Sequence, residues 1–331
     1  QRQMCIRDRF QREYKSFSET LFFKFSMIRT SLVLNSKKIL SNQKKIPALP
    51  IVCHELEVSL HFLIHQTAQL YPSLPVVELA ERLTHLAPGN LEKVFFNASG
   101  TEADETAVMM AQLYTENSEL IALRHGYSGR SLLAQSLTAH APWRALPTQV
   151  GAVKHALAPY CYRCPLKLTY PDCGIACAED VEELIKTTTT GKIAGVLAEP
   201  IQGVGGFITP PDEYFGIIAD IVRNHGGIFI SDEVQTGFGR TGKTWGIEHS
   251  GVEPDIITVA KGIANGMPLA AVITTKDISD SMQKNTISTF GGNPVSCAAA
   301  DATITIIERD NLKKNAHNMG KLMMDGLKKI Q

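Results

Sequence analysis

Four short apolar runs each end on a polar or ionisable residue, and this pattern constrains the fold more than any other feature of the chain. Val94-Phe95-Phe96 leads into Asn97-Ala98-Ser99-Gly100, and Gly195-Val196-Leu197-Ala198 leads into Glu199-Pro200. Ile228-Phe229-Ile230 leads into Ser231-Asp232-Glu233, and the run from Asp255 to Ala260 leads into Lys261-Gly262. Short runs rich in Val, Ile and Phe and bounded by Gly, Pro and Asp read as buried strands. Helical patterns lie between and after them. Thr101 to Tyr114 carries Ala103, Ala107, Met110 and Ala111 at helical spacing. Pro211 to Asn224 is amphipathic and is closed by His225-Gly226-Gly227. Asn293 to Glu308 and a more polar stretch from Leu312 onward complete the set. Strands alternating with helices predict an α/β fold with a mostly parallel sheet flanked by helices. In such sheets ligands bind beyond the carboxyl ends of the strands. The polar strand ends therefore collect at the one edge where a site is expected.

Each of these ends has a chemical reading and a plainer one. Ser99-Gly100-Thr101 turns a strand into a helix, and the free amides of a helix start suit a phosphate. The plainer reading is an ordinary N-cap. Glu102, Asp104 and Glu105 follow, and their charges would have to face away from a phosphate. Asp232 is a carboxylate at a buried strand end, costly there without a cation opposite it. A protonated pyridine nitrogen would supply that cation, and so would a local side chain such as Arg240. Lys261 at the end of a buried strand would be desolvated, which makes an amine nucleophilic and able to form a Schiff base. Alternatively it snorkels out of the sheet edge. The glycines of Glu199-Pro200-Ile201-Gln202-Gly203 and of Thr289-Phe290-Gly291-Gly292-Asn293-Pro294 allow close backbone approach to a ligand or subunit. Turn chemistry alone also accounts for them.

Composition limits the function classes. Lys+Arg and Asp+Glu are both 33, giving a formal net charge of zero. A nucleic-acid partner would call for a basic excess, so none is expected, and no apolar run approaches the length of a membrane span. Seven cysteines, an odd number, without a secretory signal point to a reduced intracellular compartment. Cys161-Tyr162-Arg163-Cys164 followed by Cys173 and Cys177 has two close thiol pairs. Zinc would use such pairs, but the second spacing is looser than usual and no histidine joins them, so reduced surface cysteines are the expectation and no metal is assigned. The first fifty residues differ from the rest. No acidic residue lies between Glu19 and Glu55, while Lys24, Arg29, Lys37, Lys38, Lys44 and Lys45 are basic. An organellar transit segment beginning at Met27 has this composition; so does a disordered tail or a stretch that is not authentic coding sequence.

Five motifs in order carry a resemblance: Asn97 to Glu105, Ala198 to Gly203, Ser231 to Gly242, Pro254 to Gly262 and Ser288 to Pro294. Together, from about His65 to the C-terminus, they resemble the class III aminotransferases of the fold type I pyridoxal-phosphate enzymes. The resemblance implies a homodimeric transaminase working by a ping-pong mechanism on an amino acid and a 2-oxo acid. Lys261 would form the Schiff base with pyridoxal 5'-phosphate and move the proton at the substrate Cα. Asp232 would pair with the pyridinium nitrogen, and Gln235 would lie near the ring's phenolic oxygen. Ser99, Gly100 and Thr101 would hold the phosphate, and Thr289 would reach the phosphate of the neighbouring subunit. Tyr127, in His125-Gly126-Tyr127-Ser128-Gly129-Arg130, would stack on the ring, and Glu199 would pair with a substrate-binding arginine. The stretch from Tyr160 to Pro211 looks most like the alanine–glyoxylate and ω-amino-acid:pyruvate branch, with alanine or an ω-amino acid as donor.

Two departures stand out. Ser128 occupies a place where relatives usually carry His. Relatives also have a Gly-His-Cys-His-Pro-like turn, of which Ile51-Val52-Cys53-His54 is at best a remnant, and a C-terminal small domain that supplies the carboxylate-binding arginine. The resemblance therefore implies a fragment: 1–55 an unassigned segment, 56–308 the cofactor-binding large domain, and 309–331 the start of the small domain. The compartment implied is cytoplasmic, with the mitochondrial matrix as alternative. Other pyridoxal-phosphate chemistry on the same fold (aminomutase, racemase or decarboxylase), or a folded but inactive interaction module, stays open at this point.

Overall fold

The computed structural model describes residues 73–146, 150 and 152–330. The basic N-terminal segment and Ile51–His54 lie outside the described residues. In chain order the elements are α1 (Leu74–Leu86), β1 (Lys93–Asn97), α2 (Gly100–Thr115), β2 (Glu119–Leu123), α3 (Leu132–Leu137) and β3 (Ala152–Ala156). They continue with α4 (Ala176–Thr188), β4 (Gly195–Ala198), α5 (Tyr214–Asn224), β5 (Ile228–Asp232) and β6 (Ile256–Val259). The last are β7 (Ala270–Thr274), α6 (Lys276–Asp280), α7 (Pro294–Arg309) and α8 (Leu312–Lys328).

The strands form one seven-stranded sheet in the order β1-β7-β6-β5-β4-β2-β3. β7 runs antiparallel to both β1 and β6. The β6–β5, β5–β4, β4–β2 and β2–β3 pairs are parallel. The mixed, mostly parallel α/β sheet expected from the sequence is the one observed.

Both faces of this sheet are covered, which is why its strands read as continuous apolar runs. Alternate residues serve opposite faces. Ile121, Leu123, Val196, Ala198, Phe229, Ile257 and Val259 pack with Leu79 and Leu83 of α1, with α4 and α5, and with Cys297, Ala299 and Ile304 of α7. Leu120, Ala122, Leu197, Ile228, Ile230 and Ile256 pack on the other side against Ala103, Ala107, Met110 and Ala111 of α2. α2 is small on this side, so it can lie flat on the sheet and bring its N-terminus to the strand ends.

α5 begins at Tyr214 and not at Pro211. The Tyr214 N–H donates to Pro211 O at 3.1 Å, so the prolines end in a turn that precedes the helix. Three strands, β2, β3 and β7, lie outside the runs singled out above. β3 is an edge strand with Lys154 and His155 half-buried, which breaks the apolar pattern.

The chain runs outward from β2 to edge strand β3, then returns to β4 on the other side of β2 and proceeds to β5. The sheet order thus reverses between β2 and β4. At such a switch point the loops leaving two adjacent parallel strands part company and open a crevice.

Candidate active site

The N-terminus of α2 is seated between the exits of β5 and β6. A Cβ built on Gly100 would lie 3.1 Å from Val234 Cγ1 and 3.5 Å from Ala260 Cβ. Ser99, Gly100 and Thr101 are thereby brought beside the residues that follow Asp232 and precede Lys261. Ser99 is the N-cap: its Oγ accepts the Glu102 N–H at 3.3 Å, and the Glu102 carboxylate accepts the Ala98 N–H at 2.6 Å. The capping reading is therefore correct, and it leaves the Ser99 hydroxyl proton free to donate elsewhere. Gly100 and Thr101 occupy the first helical positions, whose amides have no intrahelical acceptor.

The acidic residues of that first turn face away, as a phosphate would require. Asp104 is buried and accepts the Thr258 hydroxyl at 2.7 Å. Glu105 accepts the Ser131 hydroxyl.

Asp232 ends β5 at 4 % exposure. Its Oδ1 accepts the Val234 N–H at 3.0 Å. Among the described residues it forms no ion pair, and Arg240 is exposed rather than turned to it. Burial raises its carboxyl to about 6, while the Val234 N–H and the charge of Lys261 hold it down. Two more carboxyls share the region. Burial and the charge of Asp232 push Glu199 up to about 7 and Asp104 well above the usual carboxylate range. Among the described residues this edge is rich in buried acid and holds no buried cation. A cationic ring nitrogen opposite Asp232 fits that need.

Lys261 opens a 3-10 turn, Lys261–Ala264, at φ +44°. A side chain in this left-handed region is strained, and such strain is found at functional sites. Its Nζ donates to Gln235 Oε1 at 3.0 Å. One expectation needs correction. The lysine is exposed on this chain and not desolvated, because the apolar packing of β6 ends at Ala260 and the turn lifts Lys261 off the sheet edge. Snorkelling was the better description of its position.

Tyr127 leaves β2 on the facing loop, with its ring edge-on to Trp143 at 5.6 Å. Its N–H donates to Glu199 at 3.0 Å. Ser128, in place of the usual His, is buried, and its N–H donates to Thr138 Oγ1 at 3.1 Å. Thr101 abuts this loop as well: a Cβ on Gly129, at φ +126°, would collide with its Oγ1 at 2.1 Å. Thr289 is not brought to the cluster. It is exposed, in a turn pressed on β1, where a Cβ on Gly291 would lie 2.3 Å from Phe96 O.

Three participants were not singled out by sequence. Gln202 and Thr258 act through hydrogen bonds to Arg124 O and Asp104 that have no local signature. Glu233, next to Asp232, is a third. It is buried and accepts the Gly246 and Ile247 N–H groups at 2.8 Å each, bracing the loop after β5.

The four clustered cysteines lie elsewhere, lining a shallow pocket with Tyr160, Leu166 and Tyr170. Burial raises the Cys161 thiol and pushes Cys177 up to about 11. Among the described residues, no group of three His, Cys, Asp or Glu side chains is arranged to hold a metal ion. Also among them, no helix is long and apolar enough to cross a membrane.

Residues 48–331 match the family model for the class-III aminotransferases. The chain belongs to this family. The match extends the resemblance seen from His65 toward the N-terminus. The chain is 42 % identical over 263 residues to an alanine--glyoxylate aminotransferase 2 homolog from Arabidopsis thaliana, described as mitochondrial, covering 79 % of this chain and 54 % of that relative. It is 36 % identical over 296 residues to a leucine/methionine racemase from Thermococcus litoralis, covering 88 % of this chain and 65 % of the relative. An amine transaminase from an uncultivated Pseudomonas species, solved in its PLP-bound internal aldimine form, superposes with a TM-score of 0.79 at 32 % identity, covering 85 % of this chain and 67 % of that one. The class III chain thus has the fold type I architecture, and it spans less than two thirds of the length of these curated relatives.

Proposed function

We propose that this class III chain is the cofactor-binding part of a pyridoxal-phosphate-dependent transaminase, moving an amino group from alanine or an ω-amino acid to a 2-oxo acid. The observation that carries the reading is the pairing of a buried carboxylate that forms no ion pair among the described residues, Asp232, with a strained lysine, Lys261, at neighbouring strand exits. The N-terminus of α2 lies between those exits.

When bound, the pyridoxal ring supplies the electron sink for the negative charge left on a substrate Cα after proton loss. The chain's own residues do the rest. Lys261 would hold the pyridoxal group by its carbonyl end, and its amine would take and return the proton at the substrate Cα. Asp232 keeps a proton on the ring nitrogen. The Gly100 and Thr101 amides and the Ser99 and Thr101 hydroxyls hold the phosphate. Gln235 orients Lys261 by the hydrogen bond already present. Tyr127 covers the ring and excludes water from one side. Thr289 reaches a second copy's phosphate, so the working unit is a homodimer.

The test is amino-group transfer between alanine or an ω-amino acid and a 2-oxo acid. Parallel lines in double-reciprocal plots mark a ping-pong mechanism. The likeness to a leucine/methionine racemase favours a second reading, in which the same lysine removes and restores the Cα proton without amino transfer. Inversion of an L-amino acid without release of a 2-oxo acid would establish that reading. Cofactor uptake with neither reaction would identify a folded module without turnover.

A further inference from the structure

The crevice at the sheet's switch point is laced shut by side chains of one strand exit. Glu199 follows β4. Its Oε1 accepts the Tyr127 N–H and its Oε2 accepts the Gly203 N–H, both at 3.0 Å. Gln202, 2 % exposed, adds a parallel tie by donating Nε2 to Arg124 O at 2.8 Å. Gly203 in turn carries the Gln235 amide: a Cβ there would lie 2.4 Å from Gln235 Nε2. The same amide accepts the Lys261 ammonium through Oε1. Contacts thus run without a break from Tyr127 through Glu199, Gly203 and Gln235 to Lys261.

We infer that Glu199 is a positioning residue, a staple that fixes the distance between the aromatic cover at Tyr127 and the Gln235–Lys261 pair. The chemistry suits no other side chain. An ionised carboxylate is acceptor-only, with two oxygens on one rigid plane. Glutamine would turn an NH2 group against one of the two N–H donors, and aspartate is one methylene too short to span both. Both oxygens are already engaged within this chain, so Glu199 acts on the site's geometry before any substrate arrives. The consequence for the cofactor rests on the functional reading above; the staple itself does not.

Amide hydrogen exchange of the full chain, without cofactor, tests the staple. It is read at pH 8, above the value of about 7 to which burial and Asp232 raise Glu199. In Glu199→Gln the Tyr127 or Gly203 amide, or both, exchange about tenfold faster or more, the loss of one charge-assisted hydrogen bond. Val222 of α5 stays protected and far-UV circular dichroism is unchanged. Titration with pyridoxal phosphate then shows affinity weakened about tenfold. Gly203→Ala leaves the Glu199 oxygens in place but displaces Gln235, so it weakens cofactor affinity while Tyr127 stays protected. If Glu199→Gln does not fold, Glu199→Asp serves in its place and frees at least one of the same amides. Unchanged exchange at both amides overturns the staple. Faster exchange with unaltered cofactor affinity overturns the positioning role. If the wild-type chain takes up no pyridoxal phosphate, the functional reading and the positioning role fall together, and the exchange result still decides the staple.

Discussion

Lys261 holds a side chain at φ +44°, where a Cβ costs about 1–2 kcal/mol. Two substitutions separate that backbone cost from the chemistry. Lys261→Ala and Lys261→Gly both remove the amine, its hydrogen bond to Gln235 and its charge near Asp232. They differ only in whether a Cβ remains. Glycine relieves the left-handed strain but loses about 0.5–1 kcal/mol to the greater freedom of the unfolded chain. The difference leaves Lys261→Gly more stable than Lys261→Ala by about 0.7 kcal/mol. With a denaturant slope of about 2 kcal/mol/M, the urea midpoint rises by roughly 0.3 M. Far-UV circular dichroism of the cofactor-free variants measures this. Lys321, exposed in the middle of α8, is the control. There alanine should exceed glycine by about 1 kcal/mol, the ordinary helical order. If alanine equals or exceeds glycine at position 261, the lysine is not held in strain and its backbone says nothing about function.

Asp232→Asn keeps the shape of the side chain and removes its charge; transaminase turnover should fall roughly 10²-fold, with the cofactor still bound, in a steady-state assay. Trp245 is 1 % exposed, its Nε1 donates to Leu86 O at 2.6 Å, and its ring meets Phe238 edge-on at 5.2 Å; Trp245→Ala should cost about 3–5 kcal/mol in urea unfolding. Burial raises Glu199 and Glu233 to about 7 and Asp232 to about 6. A carboxyl raised in the folded state binds its proton more tightly there than when unfolded, so its contribution is full below about pH 4 and is lost as pH rises through the folded values. Between pH 5 and pH 8 the cofactor-free chain should therefore lose at least about 1 kcal/mol of stability, measured as a falling urea midpoint, and cofactor binding opposite Asp232 should reduce the slope.

What was legible in the sequence was whatever leaves a periodic or abrupt local trace. β4, β5 and β6 announce themselves because each is buried along its whole length, and β1, partly buried at the sheet edge, because it too ends in a group that does not belong in a core. Asp232 and Lys261 stood out for the same reason. β3 was hidden because an edge strand with Lys154 and His155 reads like a loop. The sequence left Lys261 open between desolvation and snorkelling, because burial depends on what covers a turn, not on the strand before it. Glu199 was found, but its two partners are backbone N–H groups of Tyr127 and Gly203. Every residue except proline carries such a donor, so no sequence pattern marks it. The Asp104–Thr258 pair was missed because its partners are brought together only by the packing of α2 on β6.

The central claim is that Lys261 is the residue that holds the cofactor. Incubation with pyridoxal phosphate should give a visible absorbance band, which borohydride removes. Peptide mapping of the reduced protein should then place the pyridoxyl adduct on Lys261, and Lys261→Ala should show neither band nor adduct. An adduct on another lysine, or a reducible band that survives in Lys261→Ala, would contradict the account.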